Sequence, residues 1–214
     1  MNIYFNNTQL LQNTLLPYFH EAEPLKIINK AFSKLNYEKY LTYIQPHGIL
    51  ETYCPYDQIV VVRSMYQNGV LNGKSEILAD SGKVWIRRTY KNGKLHGSHE
   101  NYHYHTDMLI EKKNYVNGKR HGLYESWDNT GLLYIKCNYR DDEYDGLYEY
   151  YYTNGQLKIR CTYKNGTHDG LYEKWYDTGI LKIRKTYKDD KLYGLYEEYF
   201  SNGELKFRNN YGEL

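Results

Sequence analysis

The chain has 214 residues, with 28 Lys and Arg against 26 Asp and Glu, a formal net charge of +2. That balance argues against a histone-like nucleic-acid binder, which needs a large excess of cations, so no specific nucleic-acid partner is expected. Mean hydropathy is −0.84 and no apolar run approaches the ~20 residues that cross a bilayer. No basic stretch followed by an apolar core opens the chain, so a soluble, cytoplasmic protein is expected. Cys54, Cys137 and Cys161 form no Cys-x-x-Cys pair, which gives neither a zinc signature nor a disulfide framework. Tyrosine is abundant at 28 residues; it favours strands and buries its ring while its hydroxyl stays hydrated.

Residues 1–45 carry no repeat signal. Thr8 is placed to cap a helix through Leu10, Leu11, Leu15 and Phe19. Pro24 suits a first helical position, with Leu25, Ile28, Phe32 and Leu35 at helical spacing behind it. A small α-helical cap over the first sheet edge is the expectation, because repeat arrays need capped ends.

From residue 46 onward the chain repeats itself, first in a degenerate block around His47-Gly48-Ile49-Leu50-Glu51. Blocks then open at Tyr66, Tyr90, Tyr115, Tyr139, Tyr163 and Tyr187, a period of 24 residues with one extra in the block at Tyr90. With the opening Tyr as position 1, glycine holds position 8 in all six blocks, and position 17 in every block except that at Tyr90. Each block reads as a β-hairpin, with strands at positions 9–14 and 18–24. The turn at Thr153-Asn154-Gly155 is expected to be a three-residue loop, because a two-residue I′ turn would force positive φ on Thr130 and Thr178 of sister blocks. Cross-strand positions then sum to 32. One face is expected to carry Leu at 9, Glu at 11, Trp or Tyr at 13, Leu at 19, Ile at 21 and the opening Tyr, and the other Tyr at 10 with Lys or Arg at 20 and 22. The fold class is mainly β, an elongated antiparallel hairpin meander. Cys137 and Cys161, both at position 23, should lie about 9.5 Å apart, beyond the ~7 Å disulfide limit.

The spacing Tyr-x-x-Gly-x-x-x-Gly-x-x-x-x-(Trp/Tyr)-x-x-x-Gly, seen at Tyr163, Gly166, Gly170, Trp175 and Gly179, resembles the MORN repeat. The likeness is to the variant of bacterial antitoxin-type and giant-virus MORN proteins, and covers about 46–214. Asp142 and Asp190 depart from it at the first glycine, as does the block at 90–114. The resemblance implies a non-catalytic array for protein interaction, scaffolding or attachment to acidic lipid, in a host cell or virion for a viral chain. Leu15-Leu16-Pro17-Tyr18-Phe19 followed by Leu25–Phe32 is similar in layout to the central helices of an F-box, which implies recruitment of a ubiquitin-ligase adaptor.

Two charged columns run through the repeats. Glu51, Glu76, Glu100, Glu125, Glu149, Glu173 and Glu197 share position 11 and, about 9.5 Å apart, are too distant to share one ion. They read as structural acceptors for hydroxyls or backbone N–H groups. Arg63, Arg87, Lys112, Lys136, Arg160, Arg184 and Arg208 form the basic column, reinforced by Lys158, Lys182 and Lys206 and expected to face Tyr124, Tyr148, Tyr172 and Tyr196. An exposed stripe of those tyrosines with Lys136, Arg160, Arg184 and Arg208 is the candidate interaction surface, for a protein partner first and acidic phospholipid second. His103 and His105 on one strand would be a weak metal pair, while His47, His96 and His121 read as turn residues. No nucleophile–base motif, phosphate loop or zinc-protease motif is present, so neither catalysis nor a cofactor is expected. Self-association through the last strand near Tyr211 is a further expectation.

Overall fold

Two kinds of turn fold every repeat. Asn68-Gly69, Asn92-Gly93, Asn117-Gly118, Asp141-Asp142, Asn165-Gly166 and Asp189-Asp190 all have positive φ at both residues. This is the two-residue I′ turn, whose twist matches the strands it joins. Asp142 and Asp190 keep that geometry without glycine, because their carboxylates brace the neighbouring hairpin. Asp142 Oδ1 accepts from Arg120 N and Nε at 3.0 and 3.1 Å, and Asp190 Oδ1 accepts from the His168 N–H at 2.8 Å. The other turn is the expected three-residue loop. Tyr152 N donates to Gln156 O at 2.8 Å, and within 153–155 only Gly155 has positive φ. The irregular block closes instead with His103 N donating to Met108 O at 2.7 Å, and Asp107 at φ 58° takes the left-handed place that glycine fills elsewhere.

The computed structural model describes residues 47–54 and 59–212. Its fourteen strands are β1 (Gly48–Tyr53), β2 (Val60–Gln67), β3 (Val70–Leu78), β4 (Val84–Lys91), β5 (Lys94–Tyr102), β6 (Leu109–Val116), β7 (Lys119–Trp127), β8 (Leu133–Arg140), β9 (Glu143–Tyr151), β10 (Leu157–Lys164), β11 (Thr167–Trp175), β12 (Leu181–Lys188), β13 (Lys191–Tyr199) and β14 (Leu205–Asn210). They lie in chain order in one antiparallel sheet. Among the described residues there is no helix and no second layer; the expected helical cap and F-box-like segment at 1–45 fall outside them. Burial is therefore local. Ile77 and Ile86 pack with Val62 and Trp85 near one end, and Cys137, Tyr139 and Cys161 are buried further along.

The register corrects the expected faces. Between β9 and β10, Tyr151 stands opposite Leu157 as anticipated, but Tyr150 then faces Ile159 and Glu149 faces Arg160. Lys158 is an extra residue, a β-bulge, and the same shift recurs at the end of the other three-residue and related loops. One inserted residue moves every later side chain of the return strand to the opposite face. Positions therefore sum to 33 beyond the bulge. The cation of position 22 joins Glu, while Ile of position 21 and the opening Tyr join the Tyr of position 10. A second bulge follows. The ladder between β10 and β11 shifts between Cys161 and Tyr163, where Gly170 at φ 118° stands among residues opposite Thr162. A Cβ on Gly170 would meet Thr162 Cβ at 3.3 Å, so this backbone demands glycine twice over. His96 and His121, expected in turns, lie inside β5 and β7.

Candidate interaction faces

The first face carries a single row of alternating charge across the whole sheet. Strand by strand the paired residues are Glu51, Arg63, Glu76, Arg87, Glu100, Lys112, Glu125, Lys136, Glu149, Arg160, Glu173, Arg184, Glu197 and Arg208. Opposite charges placed directly across a ladder attract, and each interior residue of this row has an opposite charge on both sides. Within hairpins, Arg160 Nη2 lies 2.9 Å from Glu149 and Arg184 Nη2 lies 3.0 Å from Glu173. Between hairpins, Arg87 Nη1 reaches Glu100 at 3.1 Å while its Nε holds Glu76 at 3.0 Å.

Aromatic residues at position 13 complete the carboxylate shell. The hydroxyls of Tyr53, Tyr102, Tyr151 and Tyr199 donate to Glu51, Glu100, Glu149 and Glu197 at 2.8–2.9 Å. For Glu51 the Tyr53 hydroxyl and then Arg63 hold the carboxyl below its ordinary range. At Glu197 burial works the other way, yet Tyr199 and Arg208 still leave the carboxyl lowered. The glutamates act as structural acceptors, and the cations beside them are neutralised.

The second face is aromatic. Tyr139 stacks on Tyr144 at 4.7 Å between centroids, Tyr144 meets Tyr163 at 5.1 Å, and His168 sits 4.4 Å from Tyr163 and 5.1 Å from Tyr187. Tyr124, Tyr148 and Tyr172 join this band edge-on, each against the opening Tyr of the next block. Tyr196 does the same with Tyr211. Edge-to-face and offset contacts of this kind suit the ring quadrupole. Lys185 lies over both Tyr172 and Tyr187, and Lys158 over Tyr150 and Tyr152. Burial pushes the hydroxyls of Tyr124 and Tyr148 up to about 12.

The eight residues expected to share one surface are thus divided. Tyr124, Tyr148, Tyr172 and Tyr196 lie on the aromatic face, half-buried rather than exposed. Lys136, Arg160, Arg184 and Arg208 lie on the charged face, next to glutamate. Sequence reasoning missed the contribution of Tyr139, Tyr144, Tyr163 and Tyr187 to the aromatic face. The recurrent opening Tyr was the available signal, and the uncounted bulge put it on the wrong side.

The remaining candidates do not converge. His103 and His105 occupy the loop after β5 rather than a strand, with ring centroids 6.0 Å apart, while His99 is buried in the sheet. Among the described residues, no group of His, Cys, Asp or Glu is placed to hold a metal ion. Cys137 and Cys161 are free, flank Tyr148 on one row, and are pushed by burial to about 12 and about 11, so they are thiols at neutral pH. No described helix is long and apolar enough to cross a membrane.

A family model described as a MORN repeat variant matches residues 144–165, 169–189 and 192–212. No curated protein matches the chain. Each matched stretch contains the glycine bulge, the three-residue loop and a Glu–Arg rung, and the first two end on the first residue of an I′ turn; the bulge and a Glu–cation rung recur in the repeats before them, and the loop in all of those except the block at Tyr90. Over residues 144–212 the chain is thus similar to the MORN repeat variant.

Proposed function

We propose that the chain is a non-catalytic scaffold that holds a protein partner against its tyrosine face. Repeats of this family serve protein and membrane-lipid contacts rather than catalysis. The observation that carries the choice of face is the aromatic band, unbroken from Tyr124 to Tyr187 and, apart from the buried Tyr139, half-exposed. Tyrosines already fixed by their neighbours lose little rotamer freedom on binding and offer a large amphipathic area. The charged face offers less to acidic phospholipid, because each cation in its row is compensated by a paired carboxylate.

Photo-cross-linking separates these readings without breaking the sheet. A benzophenone side chain placed at 124, 148 or 172 should form adducts with a discrete protein, and one placed at 127 or 175 on the charged face should not. Adducts from 127 and 175 alone would move the site to the other face. Flotation on phosphatidylserine vesicles that is abolished by R160E/R184E would favour the lipid reading instead. Recruitment of a ubiquitin-ligase adaptor rests on residues 1–45, outside the described residues. It predicts an adaptor bound by the full chain and absent with residues 46–214.

A further inference from the structure

The two outer edges of the sheet are unlike, and each matches the other. β14 corresponds to positions 19–24 of a repeat, and on its outer side, among the described residues, no strand follows. In the interior, a strand of this kind pairs next with one that carries Gly at 8 and Glu at 11, as β10 pairs with β11 through Arg160 and Glu173. β1 is a strand of that second kind, with Gly48 at φ 94° and Glu51, and among the described residues it pairs only with β2. Arg208 marks the same vacancy electrostatically. Arg160 and Arg184, interior cations with side chains 46% exposed, each stand in register between two glutamates, whereas Arg208 has Glu197 on one side only among the described residues and is 58% exposed. Leu205 and Phe207 on the same strand are also exposed.

We infer that a second copy of this chain docks its β1 against β14, continuing the meander from one molecule into the next. Fourteen is an even number, so β1 of the incoming copy runs antiparallel to β14 as the ladder requires. The interior register, Cys161 against Tyr172 and Arg160 against Glu173, places Asn209 opposite Leu50 and Arg208 opposite Glu51 of the next copy. The charge row then continues with its alternation intact. Such a contact is heterologous: at the two ends it leaves one β14 and one β1 without this partner, so growth does not close at a dimer. An unpaired edge strand is a ready template for this addition.

The test is a charge swap in the full chain, read by sedimentation over a range of concentrations. The wild-type mass should rise with concentration past that of a dimer. R208E alone and E51R alone should each weaken association by about tenfold or more, because each sets like charges across the junction. Mixed together, the two variants should regain it, since every junction in an alternating chain again pairs opposite charges. A wild-type mass fixed at the monomer, a plateau at the dimer, or a mixture no better than its components would overturn the inference. Should E51R fold poorly, N209C mixed with L50C serves in its place. Oxidation should join the two into a disulfide-linked pair, and failure to cross-link at concentrations where the wild type associates would equally overturn it.

Discussion

The repeats from β8 to β13 and those from β2 to β6 share one backbone but differ on the aromatic face. In the first region the central row of that face reads Cys137, Tyr148, Cys161, Tyr172, Lys185 and Tyr196. In the second, the same row reads Ser64, Ser75, Arg88, His99 and Lys113. Ser64 and Ser75 share a hydrogen bond of 2.7 Å, and burial, with Lys113 and Arg88 nearby, brings His99 down to about 4. Across both regions the I′ turns, the glycine bulges and the row of Glu alternating with Arg or Lys persist. Backbone geometry and the charged face define the architecture. The aromatic face is the part that differs between repeats, as the binding role proposed for it requires.

That division yields a graded set of expected effects. The largest belongs to the bulge. Gly170→Ala meets both a forbidden φ and a 3.3 Å contact, and should cost about 1–3 kcal/mol in urea unfolding. Gly122→Ala has open space at φ 84° and should cost about 1 kcal/mol. Equal losses at the two sites would remove the steric part of the argument.

The charge row should rank next. Glu173→Gln, in the middle of the row, leaves Arg160 and Arg184 each short of a carboxylate and should cost about 1–2 kcal/mol. Glu51→Gln, at the edge and more exposed, should cost under about 1 kcal/mol.

The smallest single effects are those of pH, although they act at many sites together. Glu51, Glu76, Glu100 and Glu197 all have carboxyls lowered from 4.5 in the folded chain. Their contribution is present above that value and is lost as pH falls through the folded values. Tyr124, Tyr148 and Tyr151 are raised from 10.0 to about 12, chiefly by burial, so their contribution is full below pH 10 and fades between pH 10 and 12. Thermal melts across both windows should show stability falling at each end. A flat profile through the acid window would contradict the carboxylate shell.

Much of this was legible in the sequence. Glycine at position 17 and Thr130 beside it identified the three-residue loop, and the 24-residue period identified the meander. The bulge at Lys158 was not legible, because a bulged residue there needs no glycine and Lys leaves no mark of its role. That one uncounted residue exchanged the faces of Arg160, Ile159 and Tyr163. The sequence did hold a corrective. Glu at 11 and Arg at 22 are columns of opposite charge, and pairing them requires positions to sum to 33 rather than 32. Position 8 was recognised as glycine, but its place inside a strand depends on the pairing of β10 with β11, a tertiary fact.

The placement of the cations with the glutamates is the central claim, and a double-mutant cycle tests it directly. Arg184 should couple to Glu173, whose carboxylate accepts from its Nε at 3.0 Å, with an interaction energy of about 0.5–1.5 kcal/mol in urea unfolding. The same cycle between Arg184 and Tyr172, adjacent to Glu173 but on the other face, should give an energy within about 0.3 kcal/mol of zero. Coupling to Tyr172 with none to Glu173 would restore the unbulged register and contradict the account.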